Sequence, residues 1–350
     1  MAVSVTKTYE GHRLVGEGPI TDLANSYLAH LTARGFSAAT VRGYAFDLLN
    51  FSRFLHGRDI DPGNVAPSDL FDWLQWQSEM PAHPNDNNVV SIQANRGASP
   101  ATMNRRVAAV RGLFEYSVIT GFRDDNPVPP GRRATGLRAR PRGTLGHLDT
   151  GKTRSGGRLV KQHQRLPESI DLADVADFVA DLATYRDRAM ALAMVLGGLR
   201  AAEVRALRLA DVDMGLRRLR VTGKGGRQRV VPVDRPFFAE LAGYLHSERP
   251  SGLATPECFV VLRGPTRGQA MTEAGMRKIF RVHRQRSGAT RVRPHRLRHT
   301  YGTELAAAGI DLLVLKDLMG HAHSETTAMY VHLSPEHLAA EYARAHEALQ

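Results

Sequence analysis

A single cysteine, Cys258, stands in 350 residues, so an internal disulfide framework is excluded and a reducing, cytoplasmic setting is expected. The residue falls in Glu257-Cys258-Phe259-Val260-Val261-Leu262, a short strand-like run suited to a buried structural thiol. No apolar stretch approaches the ~20 residues that span a bilayer. Met1 to Glu10 lacks the apolar centre of a secretory signal. Metal signatures are missing too, with no His-Glu-x-x-His and no cysteine cluster. Acids are the last scarcity: 35 Asp and Glu face 47 Lys and Arg, a net charge of +12. That excess points to a polyanionic partner, most commonly nucleic acid, against the plainer reading of a merely basic protein. Arginine outnumbers lysine, and its fork can make two parallel bonds to one phosphate, although a GC-rich genome yields the same bias.

What is present reads as two domains joined by a basic segment, with hydrophobic content of 42% sufficient for a core in each. Residues 1 to about 17 read as a tail. From Ile20, Leu23, Tyr27, Leu28 and Leu31 recur at helical spacing. Ser37 is placed to cap a second helix from Thr40 to Leu49, and Ser68 to Ser78 forms a third around Leu70, Trp73, Leu74 and Trp76. Pro81 to Ser99 is a polar loop, and a fourth helix from about Pro100 to Thr120 carries Met103, Val107, Val110, Leu113 and Phe114 on one face. Four helices without a convincing strand predict an all-helical domain over 18–128. In the 129–166 linker, Arg132, Arg133, Arg138, Arg140, Arg142, Lys152, Arg154, Arg158, Lys161 and Arg165 face one acid, Asp149. This is either a solvated connector or a strap that orders along a phosphate backbone. The second domain, 167–350, is expected to be mainly α with a small antiparallel sheet. Its hairpin pairs Leu219–Thr222 with Arg229–Val233 through Gly223-Lys224-Gly225-Gly226.

The chemistry-bearing segments lie in that second domain. Leu199-Arg200-Ala201-Ala202-Glu203 sets an arginine at a helix start with an acid one turn later. In Arg293-Pro294-His295-Arg296-Leu297-Arg298-His299, His295 and Arg298 are three apart and share a helix face. Leu318-Met319-Gly320-His321 puts a histidine just after a helix-ending glycine, and Ser324 can cap a short helix bearing Tyr330. Singly, each has a plainer explanation: Arg200 and Glu203 as a helix ion pair, His295 and His299 as half a zinc site, Tyr330 as a core aromatic.

Together and in order, these segments resemble the tyrosine recombinase family, also called the phage integrase family, over nearly the whole chain. The resemblance implies an N-terminal four-helix SAM-like core-binding domain and an α-rich catalytic domain. It assigns Arg200 and Arg298 as the catalytic arginines, Glu203 as the acid supporting the first, and Lys224 as the catalytic lysine. His295 and Arg298 fill the His-x-x-Arg pair, His321 fills the Leu-Gly-His box with Met319 where leucine is usual, and Tyr330 is the nucleophile. Serine is common where this chain has His323, which alters a neighbouring contact and no catalytic position. The implied activity is site-specific recombination of double-stranded DNA through a 3′-phosphotyrosyl intermediate and a Holliday junction, without cofactor, metal or ATP. The implied partners are DNA sites, further copies in a tetramer and, in some members, accessory proteins; the protein would be nucleoid-associated when bound.

DNA-binding candidates in the first domain are Arg42 and Tyr44 on one helix and Arg105, Arg106 and Arg111 on another, each with a solvated charged face as the plainer reading. The stripe Leu338, Tyr342, Ala345 and Leu349 either packs on its own domain or, as the family suggests, docks into a neighbouring protomer. The absence of a separate arm-binding domain before residue 20 favours a simple recombinase or a transposon-borne enzyme, and the extended basic linker, unlike the short one of chromosome-dimer resolvases, points to a mobile element. Two other readings stand beside this one. A non-catalytic sequence-specific DNA-binding protein explains the charge and the helices but not the six catalytic positions. A type IB topoisomerase shares the chemistry but relaxes supercoils as a monomer, and the complete core-binding module argues against it.

Overall fold

The computed structural model describes residues 3–9, 11–80, 97–129, 158–161 and 169–321, with 327 and 347. It divides into two units, 1–164 and 165–350. Both are mainly helical with small antiparallel sheets, as expected. Among the described residues, no helix is long and apolar enough to cross a membrane.

The first unit is built on α2 (Ala38–Arg58), which packs against α1 (Thr21–Ala33), α3 (Pro67–Glu79) and α4 (Pro100–Ile119). The Ser37 hydroxyl accepts from the Thr40 amide to start α2, and Asp59 in the left-handed region ends it. Ser99 caps α4 in the same way, with Pro100 in its first turn. The core centres on Phe51, which meets Trp73 and Phe114 edge-on at 4.9 and 6.0 Å.

Two expectations are corrected here. Residues 1 to about 17 are not a tail, because β1 (Ser4–Thr8) and β2 (Gly11–Val15) pair as an antiparallel hairpin. Leu14 from β2 is buried in the core, and its backbone amide and carbonyl both bond the Asn25 side chain. The segment 129–166 is also not all linker among its described residues. The Asn104 side chain accepts from the Val160 amide at 3.1 Å and donates to its carbonyl at 2.9 Å, while Leu159 packs on the first unit's core. Residues 158–161 therefore belong to that unit. Arg132, Arg133, Arg138, Arg140, Arg142, Lys152, Arg154 and Arg165 lie outside the described residues.

In the second unit α6 (Tyr185–Val195) runs through the core, packed on α8 (Arg235–Ser247) and α10 (Pro294–Ala307). Around it lie α5 (Leu172–Asp181), α7 (Ala201–Ala206), α9 (Glu273–Arg286) and α11 (Leu312–Met319). The sheet has the order β3 (Val212–Asp213), β4 (Arg218–Thr222), β5 (Gln228–Pro232). Strand β4 alternates, with Leu219 and Val221 inward and Arg218, Arg220 and Thr222 outward. Its register with β5 runs from Arg218 opposite Pro232 to Thr222 opposite Gln228, which sets the lysine turn at the hairpin's tip. Cys258 is fully buried, and burial pushes its thiol up to about 12, consistent with an inert structural thiol.

Candidate active site

The site grows from the break between α6 and α7. Gly198 adopts a φ of +60°, and a Cβ there would lie 2.4 Å from the Tyr301 ring, so both backbone and space require glycine. That turn delivers Arg200 to the start of α7. The Arg200 amide donates to Glu203 Oε2 at 2.8 Å, and its Nη1 donates to Oε1 at 2.8 Å. The ion pair expected from sequence is therefore present, with additional partners. Arg229 on β5 adds two more bonds to Glu203, at 3.0 and 2.9 Å, and Arg298 Nη1 lies 3.9 Å away.

Glu203 is 6% exposed. Burial pushes its carboxyl upward, but hydrogen bonds from Arg229 and from the Arg200 backbone and side chain, with the Arg229 charge, hold it below the usual carboxylate range. One anion thus gathers three guanidinium groups, and the surplus is positive. This is what an anionic substrate group needs.

The opposite wall is the end of α11, closed by Gly320 at φ +60°. Its last carbonyls are orphaned within the helix, and three arginines occupy them in turn. Arg229 Nε donates to the Leu318 carbonyl at 2.8 Å, Arg298 Nη2 to that of Met319, and Arg200 Nη2 to that of Gly320 at 3.2 Å. Arg298 also donates to the Gly198 carbonyl. Arg200 and Arg298, 98 residues apart in sequence, meet through this helix end. His321 follows it directly, its Nδ1 2.8 Å from the Thr327 hydroxyl. Burial, then the Arg298 and Arg200 charges, lower His321 to about 4, so it is neutral near pH 7.

His295 lies near the start of α10, one turn before Arg298, with its ring edge-on to His299 at 6.3 Å. Burial, then the charges of Arg293 and Arg296, hold His295 below its ordinary value, and His299 is lowered by burial, His295 and Arg298. Lys224 opens the tight turn between β4 and β5, where Gly225 has a φ of +77°; only its backbone is described. Tyr330, His323, Ser324 and the stripe Leu338, Tyr342, Ala345 and Leu349 lie outside the described residues.

Sequence reasoning missed Arg229, Gly198, Tyr301 and Thr327. The available signals were slight: an arginine in β5 two residues before Val231, on the same face, and a second glycine after Gly197.

In the first unit Arg42 is exposed, with its guanidinium over the Phe46 ring at 5.7 Å. Arg105 is exposed and held 2.9 Å from Asp47. The other candidates face differently. Tyr44 is half-buried and stacked on Tyr27. Arg106 donates to Gln77 inside the unit. Arg111 is a correction: it is 6% exposed and donates to the Pro129 carbonyl, so its guanidinium faces inward and not toward a ligand surface.

The phage integrase family model matches residues 168–337, and the N-terminal SAM-like domain of phage integrases matches 24–120. A tyrosine recombinase XerC from Chromohalobacter salexigens is 31% identical over 316 residues, 89% of this chain and 91% of that protein. The chain belongs to the tyrosine recombinase (phage integrase) family. Two solved structures share the fold. One is the XerH site-specific recombinase bound to its palindromic difH substrate, with TM-score 0.62, 19% identity, and coverage of 92% of this chain and 84% of that one. The other is the Tn1549 transposon integrase with circular intermediate DNA, at TM-score 0.62, 16% identity, and coverage of 91% and 98%. This tyrosine recombinase thus has both parts that the sequence implied, the SAM-like module and the catalytic domain.

Proposed function

We propose that this tyrosine recombinase cuts and rejoins duplex DNA at specific sites, with Tyr330 as nucleophile and Arg200, Lys224, His295, Arg298 and His321 as its catalytic partners. The observation that carries the reading is the meeting of Arg200 and Arg298 at the α11 end, beside His321. A phosphodiester is anionic and repels a phenolate unless that charge is offset. Two guanidinium groups on the non-bridging oxygens offset it and stabilise the further charge of the five-coordinate transition state. A tyrosine phenol has a pKa of about 10. The positive field favours its ionisation, and neutral His295 is suited to accept the proton. The leaving 5′ oxygen is strongly basic, and Lys224 on the glycine-rich turn donates to it. His321, kept neutral by burial and then by the same field, adds a hydrogen bond to the phosphate.

The product is a 3′-phosphotyrosyl linkage that conserves the bond energy, so religation calls for neither ATP nor metal. Exchange between two sites then proceeds through a Holliday junction in a tetramer. The DNA complexes of the XerH and Tn1549 relatives support a DNA substrate here, as does the net charge of +12. Within the first unit, Arg42 and Arg105 are placed to hold phosphates. We assign the enzyme to a mobile element on its basic segment before residue 158, and expect repeats or insertion boundaries in the DNA flanking its gene. A gene without them returns it to chromosome-dimer resolution, the role for which a short linker was expected.

The test is a nicked suicide DNA site incubated with the intact protein. A covalent adduct is expected, and its complete loss in Tyr330→Phe. Persistence of the adduct in that variant removes Tyr330 as nucleophile. Relaxed circles without recombinants identify a topoisomerase instead.

A further inference from the structure

We propose that Arg229 is a positioning residue of the phosphate site: it helps neutralise Glu203 and clamps the end of α11, so that the cluster around Arg200 and Arg298 keeps its surplus positive charge for the scissile phosphate. The inference rests on the reading of Arg200 and Arg298 given above.

Every nitrogen of the Arg229 guanidinium is engaged inside the site. Nη1 and Nη2 bond the two oxygens of Glu203 at 3.0 and 2.9 Å, and Nε bonds the Leu318 carbonyl at 2.8 Å. Its side chain is 11% exposed, against 41% for Arg200. The two arginines that share Glu203 therefore differ in kind. Arg200 keeps one edge toward solvent, where a substrate arrives, and Arg229 faces the protein. Two parallel bonds are the arrangement in which an arginine best offsets a carboxylate.

Charge counting gives the consequence. Glu203 carries one negative charge among three cations, with Arg298 Nη1 at 3.9 Å. Arg200 shares that carboxylate, with its Nη1 at 2.8 Å, so the positive surplus belongs to the cluster as a whole and Arg229 supplies one of its three cations. Without Arg229, a buried carboxylate loses two bonds and draws Arg200 and Arg298 toward itself. The field at the phosphate would fall although both catalytic arginines remain.

Position adds a second consequence. Arg229 lies on β5 opposite Val221, five residues after Lys224 in the same hairpin. Its bond to Leu318 ties that hairpin to the helix end from which His321 emerges. Gly320 permits the approach, since a Cβ there would lie 2.8 Å from Arg229 Nη1 and 3.1 Å from Cζ.

The experiment measures single-turnover cleavage by the intact protein at saturating suicide DNA. One substrate carries a normal phosphodiester at the cleavage position and the other a neutral methylphosphonate. Arg229→Met is expected to cleave the phosphodiester about 100-fold more slowly with DNA affinity changed less than about threefold. On the neutral linkage, where less charge must be offset, its deficit relative to wild type is expected to shrink at least about tenfold. Arg229→Lys is expected to recover part of the rate, because it restores charge but not the paired bonds. An equal deficit on both linkages, or an unchanged rate, overturns the proposal. If Arg229→Met melts too early to assay, the same comparison is made with Arg229→Lys, and the same two outcomes decide. Tyr330→Phe and Arg200→Met run alongside. An adduct from the first, or wild-type cleavage by the second, refutes the site itself. Their failure with normal Arg229→Met cleavage refutes only the inference.

Discussion

Asp47 in the first unit and Glu203 in the second are both buried carboxylates set among arginines, and they hold their protons oppositely. Asp47 is 1% exposed, with Arg105 at 2.9 Å and Arg106 at 3.9 Å, yet burial pushes it up to about 6 against the pull of both arginines. Its Oδ2 has no hydrogen-bond partner among the described residues. Glu203 is similarly buried, but both of its oxygens accept two bonds and it is held below its ordinary value. Nearby positive charge is common to both sites. Hydrogen bonds directed at the ionised form separate them. The second unit has organised a carboxylate to orient cations; the first keeps one whose ionisation is only half supported.

The largest effect expected from this comparison is in Glu203→Gln. Three arginines lose their shared anion, and unfolding by urea at pH 7 should show a loss of about 3–5 kcal/mol, typical of breaking a buried ion pair. A loss below about 1 kcal/mol would mean that the bonds to Glu203 hold no more than surface pairs do. Next comes acid sensitivity. His321 has a folded value of about 4 against 6.5 when unfolded, so its contribution is complete above pH 6.5 and disappears as pH falls toward 4. Thermal melting across that window should flatten in His321→Gln; an unchanged slope assigns the acid sensitivity elsewhere.

Asp47 works in the reverse sense. Its raised value means that its contribution is present below about 3.8 and lost as pH rises through about 6. Asp47→Asn should therefore remove this loss, so that it is at least as stable as the wild type at pH 8 and the advantage shrinks as pH falls toward 4. A penalty of about 3 kcal/mol or more at pH 8 would make Asp47 the equal of Glu203 and end the contrast.

Much of this was legible beforehand, because helices announce themselves by local spacing. Leu28 and Leu31, Trp73, and Val107 with Leu113 all lie on the buried faces that their periodicity predicts. The turn carrying Lys224 was equally plain from its glycines. The N-terminal hairpin was not, since its strands have five residues each and bury only Leu14. Arg111 was misplaced because sequence shows that a cation lies on a helix but not which face the partner helices cover.

Local order along the chain determined the family and the helical class and supplied the six catalytic candidates, since a His-x-x-Arg turn, a glycine-ended helix and an arginine-acid start each need only a few neighbouring residues. Tyr330 was legible on the same terms. Where each arginine lies was decided by tertiary structure alone. Arg229 lies 26 residues from Glu203 and 89 from Leu318, and Arg200 lies 120 from Gly320. Only packing brings a buried carboxylate and an open helix end together at the point where three guanidinium groups converge, and it leaves Arg200 with 41% of its side chain exposed while Arg229 and Arg298 lie buried.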